Sequence, residues 1–272
     1  MSVNAAVDIA NIALSRLGQA TITTLTAAGR DAGVVNELYA DVRNYCMMLF
    51  DWGSLVHRQV LGRSGSVALS AATAANPVVV TTTPTHTYVA NELITIEGAG
   101  GMTQLNGGVF RIWAVTSTTI TLYDTDGTTT NGTSFSAYTS GGSVFRHAGA
   151  DWEYVYDLPS DTLMVQSVLD EDFGFSQDYE WRKERSFIYA DIENAGVQYV
   201  RADTDVTHYE EDLIEVIVAR LAWYISMRVS GDKQLRQMMF QEYQEALARA
   251  KVTNARGRRD EGLPPQLWTD VR

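Results

Sequence analysis

The sequence is poor in cysteine and in long apolar runs, and each shortage excludes a class of protein. Its single cysteine, Cys46, excludes an internal disulfide framework and a cysteine-based zinc site. No apolar run approaches the length of a membrane span, and no basic segment precedes an apolar stretch at the N-terminus. We therefore expect neither a membrane protein nor a secretion signal. The 272 residues are ample for a real core in one large or two small domains.

Catalytic motifs are lacking as well. The sequence has no P-loop, no dinucleotide-binding G-x-G-x-x-G after a strand, no H-E-x-x-H and no G-x-S-x-G. Asp124-x-Asp126-Gly127 resembles the start of a calcium loop but lacks the later acidic ligand, so it predicts a turn. The histidines share no metal-ligand spacing; they are His57, His86, His147 and His208. We expect no enzyme, no metal site and no cofactor.

The formal net charge is −12, and the acids are concentrated in the middle of the chain. Residues 147–215 hold eighteen acidic and four basic side chains, whereas residues 216–272 hold six acidic and ten basic ones. Because contacts to phosphates require Lys and Arg, the acidic middle argues against tight nucleic-acid binding there. The basic end can pair with an acidic partner, including the acidic middle of a neighbouring copy.

The strongest helical pattern lies at residues 31–52. Apolar residues recur at the spacing of a helix with one buried stripe, namely Val35, Leu38, Val42, Cys46 and Leu49. Asp31 is expected to cap the first turn, and Gly53 to close the last one. The position of Cys46 on the stripe favours a small core residue over a nucleophile. Since one helix cannot bury its own stripe, this helix needs partners.

Three further segments supply candidate partners. Residues 5–17 predict a helix, and Thr207-His208-Tyr209-Glu210 is a capping-box pattern that opens another. Ser230-Gly231-Asp232 is expected to break that helix and to cap a last one, which ends near Thr253. The stripes of this pair are predicted to include Leu213, Val216, Ile217, Leu221, Tyr224 and Ile225, then Leu235, Met238, Met239, Ala246, Leu247 and Ala250. Four helices suffice for a bundle.

Residues 66–146 differ abruptly from their surroundings. They carry almost no charge and are rich in Thr, Val, Gly and Ser, with short candidate strands between Gly- and Asn-rich turns. The candidate strands are Val78–Thr83, Leu93–Glu97, Val109–Ala114, Thr119–Tyr123 and Gly142–Arg146. We interpret this segment as an inserted module, a small all-β domain of the sandwich or barrel type.

A second set of strands flanks the insertion and is expected to form a β-subdomain, as a meander or barrel. These strands are Leu55–Leu61, Trp152–Leu158, Leu163–Leu169, Tyr179–Lys183, Phe187–Ala190 and Val197–Arg201. Asp170, Glu171 and Asp172 form an acidic loop that favours a solvated surface, or one facing a pore or neighbour, over catalysis. The predicted fold is therefore α+β. It has a core of residues 1–65 and 147–255, the inserted module, and an extended tail of residues 256–272.

The tail contains one feature that points to function. Residues 263–268 read Leu-Pro-Pro-Gln-Leu-Trp, and disordered tails are normally poor in aromatic residues. An extended segment of this kind suits insertion into a partner's groove. Its candidate anchors are Leu263, Pro264, Pro265, Leu267 and Trp268.

The order of these pieces resembles the head-to-tail adaptor, or tail tubular protein A, of short-tailed bacteriophages. The resemblance covers residues 3–61 and 152–255. It rests on a spread pattern: Asp8-Ile9-Ala10-Asn11-Ile12-Ala13-Leu14-Ser15-Arg16-Leu17-Gly18, then Tyr39, Arg43, Leu49 and Asp51-Trp52, then Tyr156-Asp157-Leu158-Pro159-Ser160-Asp161, Tyr199-Val200 and Asp205, and last Tyr243, Ala246, Leu247, Ala250 and Lys251.

The inserted module resembles the β-module named after the first catalytic-cysteine half-domain of ubiquitin-activating enzymes, which recurs in phage structural proteins. The matching residues are 75–82, Glu97-Gly98 and Gly101-Met102-Thr103-Gln104-Leu105-Asn106-Gly107. The module has no cysteine, so nothing in it implies ubiquitin chemistry. Its presence is a departure from the minimal adaptor pattern.

The adaptor resemblance implies a homo-oligomeric ring, a dodecamer, beneath the portal protein at the head–tail interface of a virion assembled in the host cytoplasm. Such a ring extends the channel through which double-stranded DNA passes without specific binding, and it receives the tail nozzle or next tail component. The tail anchors then bind the portal. Glu37, Asp41 and Arg43 become candidate inter-subunit residues, and Asp170, Glu171 and Asp172 candidates for a surface facing the lumen or tail.

A different class of function stays open. The inserted module can instead be a virion decoration that binds a glycan or receptor. Tyr88, Trp113, Tyr123 and Tyr138 are candidates for a stacking platform, although core packing is the preferred interpretation of Trp113.

Overall fold

The computed structural model describes residues 3–170 and 179–257, and for Arg256 and Gly257 it describes the backbone alone. Within these residues the fold is mixed α+β, with four helices and a closed six-stranded β-barrel. The chain forms two compact units. The first holds the described residues of Met1–His57, Asp161–Gln166 and Tyr199–Arg272, and the second those of Arg58–Ser160 and Ser167–Gln198.

Four helices occupy the expected segments: α1 (Ala6–Arg16), α2 (Arg30–Met47), α3 (Glu211–Val229) and α4 (Lys233–Gly257). They share one hydrophobic core in the first unit. Helix α3 lies at its centre, because Val216 to Ala222 are buried in an unbroken run that includes every side of the helix. Since α3 packs against α1, α2 and α4, its apolar residues extend well beyond a single stripe.

The ends of α2 differ from the expectation. Gly29 is the N-cap residue and Asp31 lies inside the first turn, where a carboxylate still interacts favourably with the helix dipole. The helix ends at Met47, and Gly53 begins a short 3-10 turn instead of closing α2. The buried indole of Trp52 donates to the Cys46 carbonyl at 3.0 Å, which satisfies one of the terminal acceptors.

The start of α3 was also predicted wrongly. The hydroxyl and backbone N–H of Thr207 both donate to the Asp205 carboxylate, at 2.7 and 3.0 Å, so Thr207 belongs to a 3-10 turn over Val206–His208. Glu210 is the N-cap residue, and its carboxylate accepts from the Ser54 N–H at 3.2 Å instead of capping α3. The capping box predicted here is absent from the structure.

The prediction for the α3–α4 break is confirmed at Asp232, whose carboxylate accepts from the backbone N–H groups of Gln234 and Leu235 at 2.7 and 3.3 Å. Helix α4 continues four residues past Thr253, so residues 256 and 257 are helical and not part of an extended tail. Asn254 explains the extra turn, because its amide donates to the Asp51 carbonyl at 3.0 Å and anchors the helix end. The rest of the predicted tail lies outside the described residues.

The inserted module is a barrel of antiparallel strands in the order β2-β3-β6-β5-β4-β7. Its strands are β2 (Val67–Ala72), β3 (Val79–Thr83), β4 (Leu93–Glu97), β5 (Val109–Val115), β6 (Thr119–Asp124) and β7 (Ser143–Arg146). Alternate residues such as Ile94, Ile112 and Leu122 fill the interior. Strand β2 was not predicted, because only Val67 and Leu69 in it are strongly apolar and buried.

The motif at residues 101–107 builds this barrel. Met102 and Leu105 are fully buried in its core. The Asn106 side chain bonds both the N–H and the carbonyl of Ala99, at 2.8 and 3.0 Å. Gly101 has φ +75, and a Cβ there would collide with the Ala137 carbonyl. The motif is thus explained by packing and backbone geometry.

The six other expected strands are present: β1 (Val56–Val60), β8 (Tyr154–Asp157), β9 (Thr162–Leu169), β10 (Trp181–Glu184), β11 (Phe187–Ala190) and β12 (Gly196–Arg201). They form two three-stranded sheets, β1-β12-β9 and β10-β11-β8, so the expectation of one meander or barrel was wrong. In the second sheet both pairings are antiparallel, with Ile188 opposite Tyr156.

Candidate interaction surface

Helix α2 carries the three residues predicted to lie between subunits, but the structure brings only two of them together. Glu37 and Asp41 are exposed and one turn apart. Glu37 forms an ion pair with Arg228 of α3 at 2.7 Å. Arg43 lies on the opposite flank of α2, partly buried, where its guanidinium donates to the Asn44 side chain at 2.9 and 3.0 Å.

The exposed stripe of α2 continues past Asp41 to Tyr45 and Met48, at helical spacing. Both are apolar side chains left in solvent, and Tyr45 is 43% exposed. Beneath the Tyr45 ring lies Arg220 of α3, whose guanidinium carbon is 3.6 Å from the ring centroid. This geometry is a close cation–π contact.

Arg220 is a buried charge, only 9% exposed. Its terminal nitrogens donate to the hydroxyls of Tyr243 at 2.8 Å and Tyr224 at 3.1 Å, while its Nε has no hydrogen-bond partner. In the part of the chain that the structure describes, no carboxylate pairs with it. Because arginine stays ionised, the surrounding rings and hydroxyls must offset its desolvation.

Aromatic side chains extend this arrangement across α3 and α4. The Trp223 ring lies 4.8 Å from the rings of both Tyr224 and Phe240, and it stacks on Tyr243 at 5.7 Å. Tyr224 is 43% exposed, which contradicts its predicted place in the buried stripe, and Phe240 is also exposed. We call Tyr45, Trp223, Tyr224 and Phe240 the aromatic face, because the rings of Tyr45 and Tyr224 lie over Arg220 and those of Tyr224 and Phe240 contact Trp223.

Met238 was also expected in the core and is instead 56% exposed. The buried stripe of α4 runs through Met239, Tyr243, Ala246 and Ala250. Because Met238 and Phe240 are two residues apart, they lie on opposite flanks of that stripe. Met238 therefore lies outside the aromatic face.

The aromatic face was not predictable from the sequence, because its residues belong to three helices and Arg220 has the pattern of an ordinary surface charge. The available signal was the spacing of Arg220 and Tyr224, one turn apart within the otherwise apolar run from Val216 to Ile225. Cys46, beside this site, is buried as expected, and burial raises the pKa of its thiol to about 12. Its nucleophilic form is thus disfavoured at neutral pH.

The remaining predicted site residues do not cluster. Asp170 is partly buried at the end of β9, while Glu171, Asp172 and the tail anchors Leu263, Pro264, Pro265, Leu267 and Trp268 lie outside the described residues.

Among residues 3–170 and 179–257, no three His, Cys, Asp or Glu side chains form a group that could hold a metal ion. Nor does any helix in those ranges have the length and apolarity needed to cross a membrane.

The four aromatic residues proposed for the inserted module fall into two pairs. Tyr88 is buried and donates to the Gly65 carbonyl at 2.7 Å, and Tyr138 donates to the carbonyls of Leu69 and Gly141. Trp113 and Tyr123 stack on each other on the outside of the barrel. The interpretation of Trp113 as a core residue was wrong, since it is 58% exposed.

Comparison of the sequence with protein-family models and with curated proteins finds no match in either set.

Proposed function

We propose that this chain is a structural head-to-tail adaptor of a bacteriophage virion. In this proposal copies of the chain form a ring below the portal protein, which extends the DNA channel and attaches the next tail component. The four helices act as a bundle that forms the body of the ring. The role is assembly through binding, without catalysis.

The observation that carries the proposal is the aromatic face. Aromatic residues and Arg are enriched at protein–protein interfaces, and an exposed cluster of aromatic side chains is unusual on a monomer. The adjoining end of the same α2 stripe is charged, with Asp41 exposed and Glu37 paired with Arg228. An apolar centre beside a polar rim is the composition expected of a subunit interface.

The C-terminal segment is the proposed contact with the portal protein. Helix α4 is described as far as Gly257, and the sequence continues for fifteen residues that include the anchors Leu263, Pro264, Pro265, Leu267 and Trp268. Apolar side chains on a Pro-rich segment can bind an aromatic-lined groove with little loss of entropy. The acidic segment 147–215 would limit the adhesion of DNA during its passage.

We predict that deletion of residues 258–272 abolishes binding to the portal protein of the same virus and leaves the four helices folded. Co-sedimentation with the portal measures binding, and far-UV circular dichroism measures folding. The matched control replaces the segment by a shuffled sequence of the same composition, which should also fail to bind. Normal binding by the truncated chain would contradict the proposed role of this segment.

A further inference from the structure

The outer face of the barrel carries a row of side chains on three neighbouring strands. Arg111 of β5 lies directly opposite Leu93 of β4 on one side and Tyr123 of β6 on the other. Because Phe110, Ile112 and Leu122 fill the interior, strand alternation directs Arg111 and Tyr123 outward. Leu93, Arg111 and Tyr123 therefore form one outward row.

Trp113 extends this row through a β-bulge. The pairing of β5 with β6 shifts between Ile112 and Ala114, so Trp113 is the extra residue. A bulge re-aims its side chain, and here the indole stacks on Tyr123 with ring centroids 4.7 Å apart and planes inclined by 12°. Tyr123 fixes the indole's orientation and covers one of its faces, while more than half of the Trp113 surface stays in solvent.

Among the residues that the structure describes, the charge beside this stack has no carboxylate partner. The barrel segment 66–146 contains only two basic residues, and one of them, Arg146, pairs with Glu92 at 3.4 Å. Arg111 forms no ion pair with any described residue. Asp124 is next to Tyr123 in sequence but points to the other face of the strand, where it accepts from the Thr130 hydroxyl at 2.8 Å.

We propose that Leu93, Arg111, Trp113 and Tyr123 form a platform that binds an acidic sugar residue of a glycan. The C–H groups of a pyranose ring pack on the exposed indole face, as aliphatic groups do on aromatic rings. The Arg111 guanidinium, two residues before Trp113 on β5 and opposite Tyr123, receives the sugar carboxylate in a paired hydrogen-bond arrangement. Specificity for the acid comes from Arg111, and ring recognition comes from Trp113.

The barrel's charge disfavours a nucleic acid as the ligand. Segment 66–146 contains four acidic residues against two basic ones, whereas binding of a polyphosphate requires several cations. One unpaired guanidinium suits one carboxylate. This inference does not depend on the proposed oligomeric ring of subunits, because every residue of the platform belongs to the barrel.

The test is titration calorimetry of the full chain with trigalacturonic acid and with neutral galactotriose. We expect measurable binding of the acidic probe and at least about tenfold weaker binding of the neutral one, as expected from loss of a charged hydrogen bond. Trp113→Ala should weaken binding of the acidic probe at least about tenfold, and Trp113→Phe, which keeps a ring, should restore most of it. Arg111→Gln should abolish the preference for the acid.

Met238→Ala, which removes an exposed apolar side chain outside the barrel, is the matched control and should bind as the wild type does. Thermal unfolding of each variant verifies that the barrel is folded. Equal affinity for the two probes, unchanged binding by a folded Trp113→Ala variant, or no heat with either probe at about 10 mM would each overturn the proposal.

Discussion

At the residue scale, the charges of Arg220 and Asp203 in the first unit are stabilised by different kinds of neighbour. Arg220 is buried among tyrosines with no carboxylate in the described part of the chain, so its charge is stabilised by ring faces and hydroxyls. Asp203 instead has a protonatable partner: its carboxylate lies 2.7 Å from Nδ1 of His208. The Asp203–His208 pair contains a histidine, the side chain whose charge ordinarily changes near neutral pH.

The Asp203–His208 pair predicts a pH dependence of stability. Hydrogen bonding to Asp203 and its negative charge raise the pKa of His208, so this contribution is present below the unfolded His pKa and is lost as pH rises through the folded value. Burial opposes ionisation of Asp203, but the Asp205 N–H and His208 outweigh it and lower the Asp203 pKa. That contribution is present above the unfolded Asp pKa and is lost as pH falls through the folded value.

The pair should therefore stabilise the fold most between about pH 4 and pH 6.5, the ordinary values for Asp and His. Urea unfolding of the wild type and of His208→Ala across pH 3–9 measures this. The difference between them should peak near pH 5 and shrink on both sides. His57→Ala, at a histidine that does not contact Asp203, is the control. A difference that does not vary with pH would show that the pair makes no linked contribution.

At the element scale, the helix caps separate what sequence pattern can predict from what it cannot. Asp232 precedes α4, and Asp31 lies in the first turn of α2. The sequence predicts that both cap a helix, yet only Asp232 accepts hydrogen bonds from backbone N–H groups of the first turn. The difference comes from the position of the N-cap. Gly29, with φ +141, is the N-cap residue of α2, so Asp31 is already the second helical residue. The sequence identifies candidate N-cap residues, but the backbone conformation before the helix determines which of them is the N-cap.

We predict that Asp232→Ala lowers the free energy of unfolding by about 1 kcal/mol, the usual effect of losing an N-cap. Asp31→Ala is the matched control and should cost only about 0.3 kcal/mol, because it removes a helix-dipole interaction alone. Urea denaturation of both variants measures the two values. Equal losses would contradict the different roles that the structure gives these carboxylates.

Most elements were predictable because their patterns are local. The four helices, and every strand except β2, lie where periodicity placed them within a few residues. The pairing of the strands was not predictable, since β8, β9 and β12 lie in two different sheets through contacts distant in sequence. The aromatic face was missed for the same reason, because the tertiary packing of α3 against α2 and α4 decides that Tyr224 is exposed.

At the scale of the whole molecule, the central element of the first unit is α3, although α2 has the strongest helical pattern in the sequence. Helix α3 packs against α1, α2 and α4, whereas α2 presents one stripe to the core and another, from Glu37 to Met48, to solvent. This outward stripe and the exposed aromatics of α3 and α4 form the surface through which we propose that copies associate. Arg43, on the opposite flank, is not expected to take part in that surface.

We propose that copies of the chain form a ring through the aromatic face. Electron-microscopy projection images of the full chain with the portal protein test this most directly. Three proteins are imaged: the wild type, a double variant that combines Tyr45→Ala with Phe240→Ala, and Met238→Ala as the matched exposed control. We predict closed rings for the wild type and for Met238→Ala. For the double variant we predict at least about tenfold fewer rings, as expected for the loss of central aromatic anchors. Absence of rings in the wild type would contradict the adaptor function, and undiminished rings in the double variant would contradict the aromatic face as the contact.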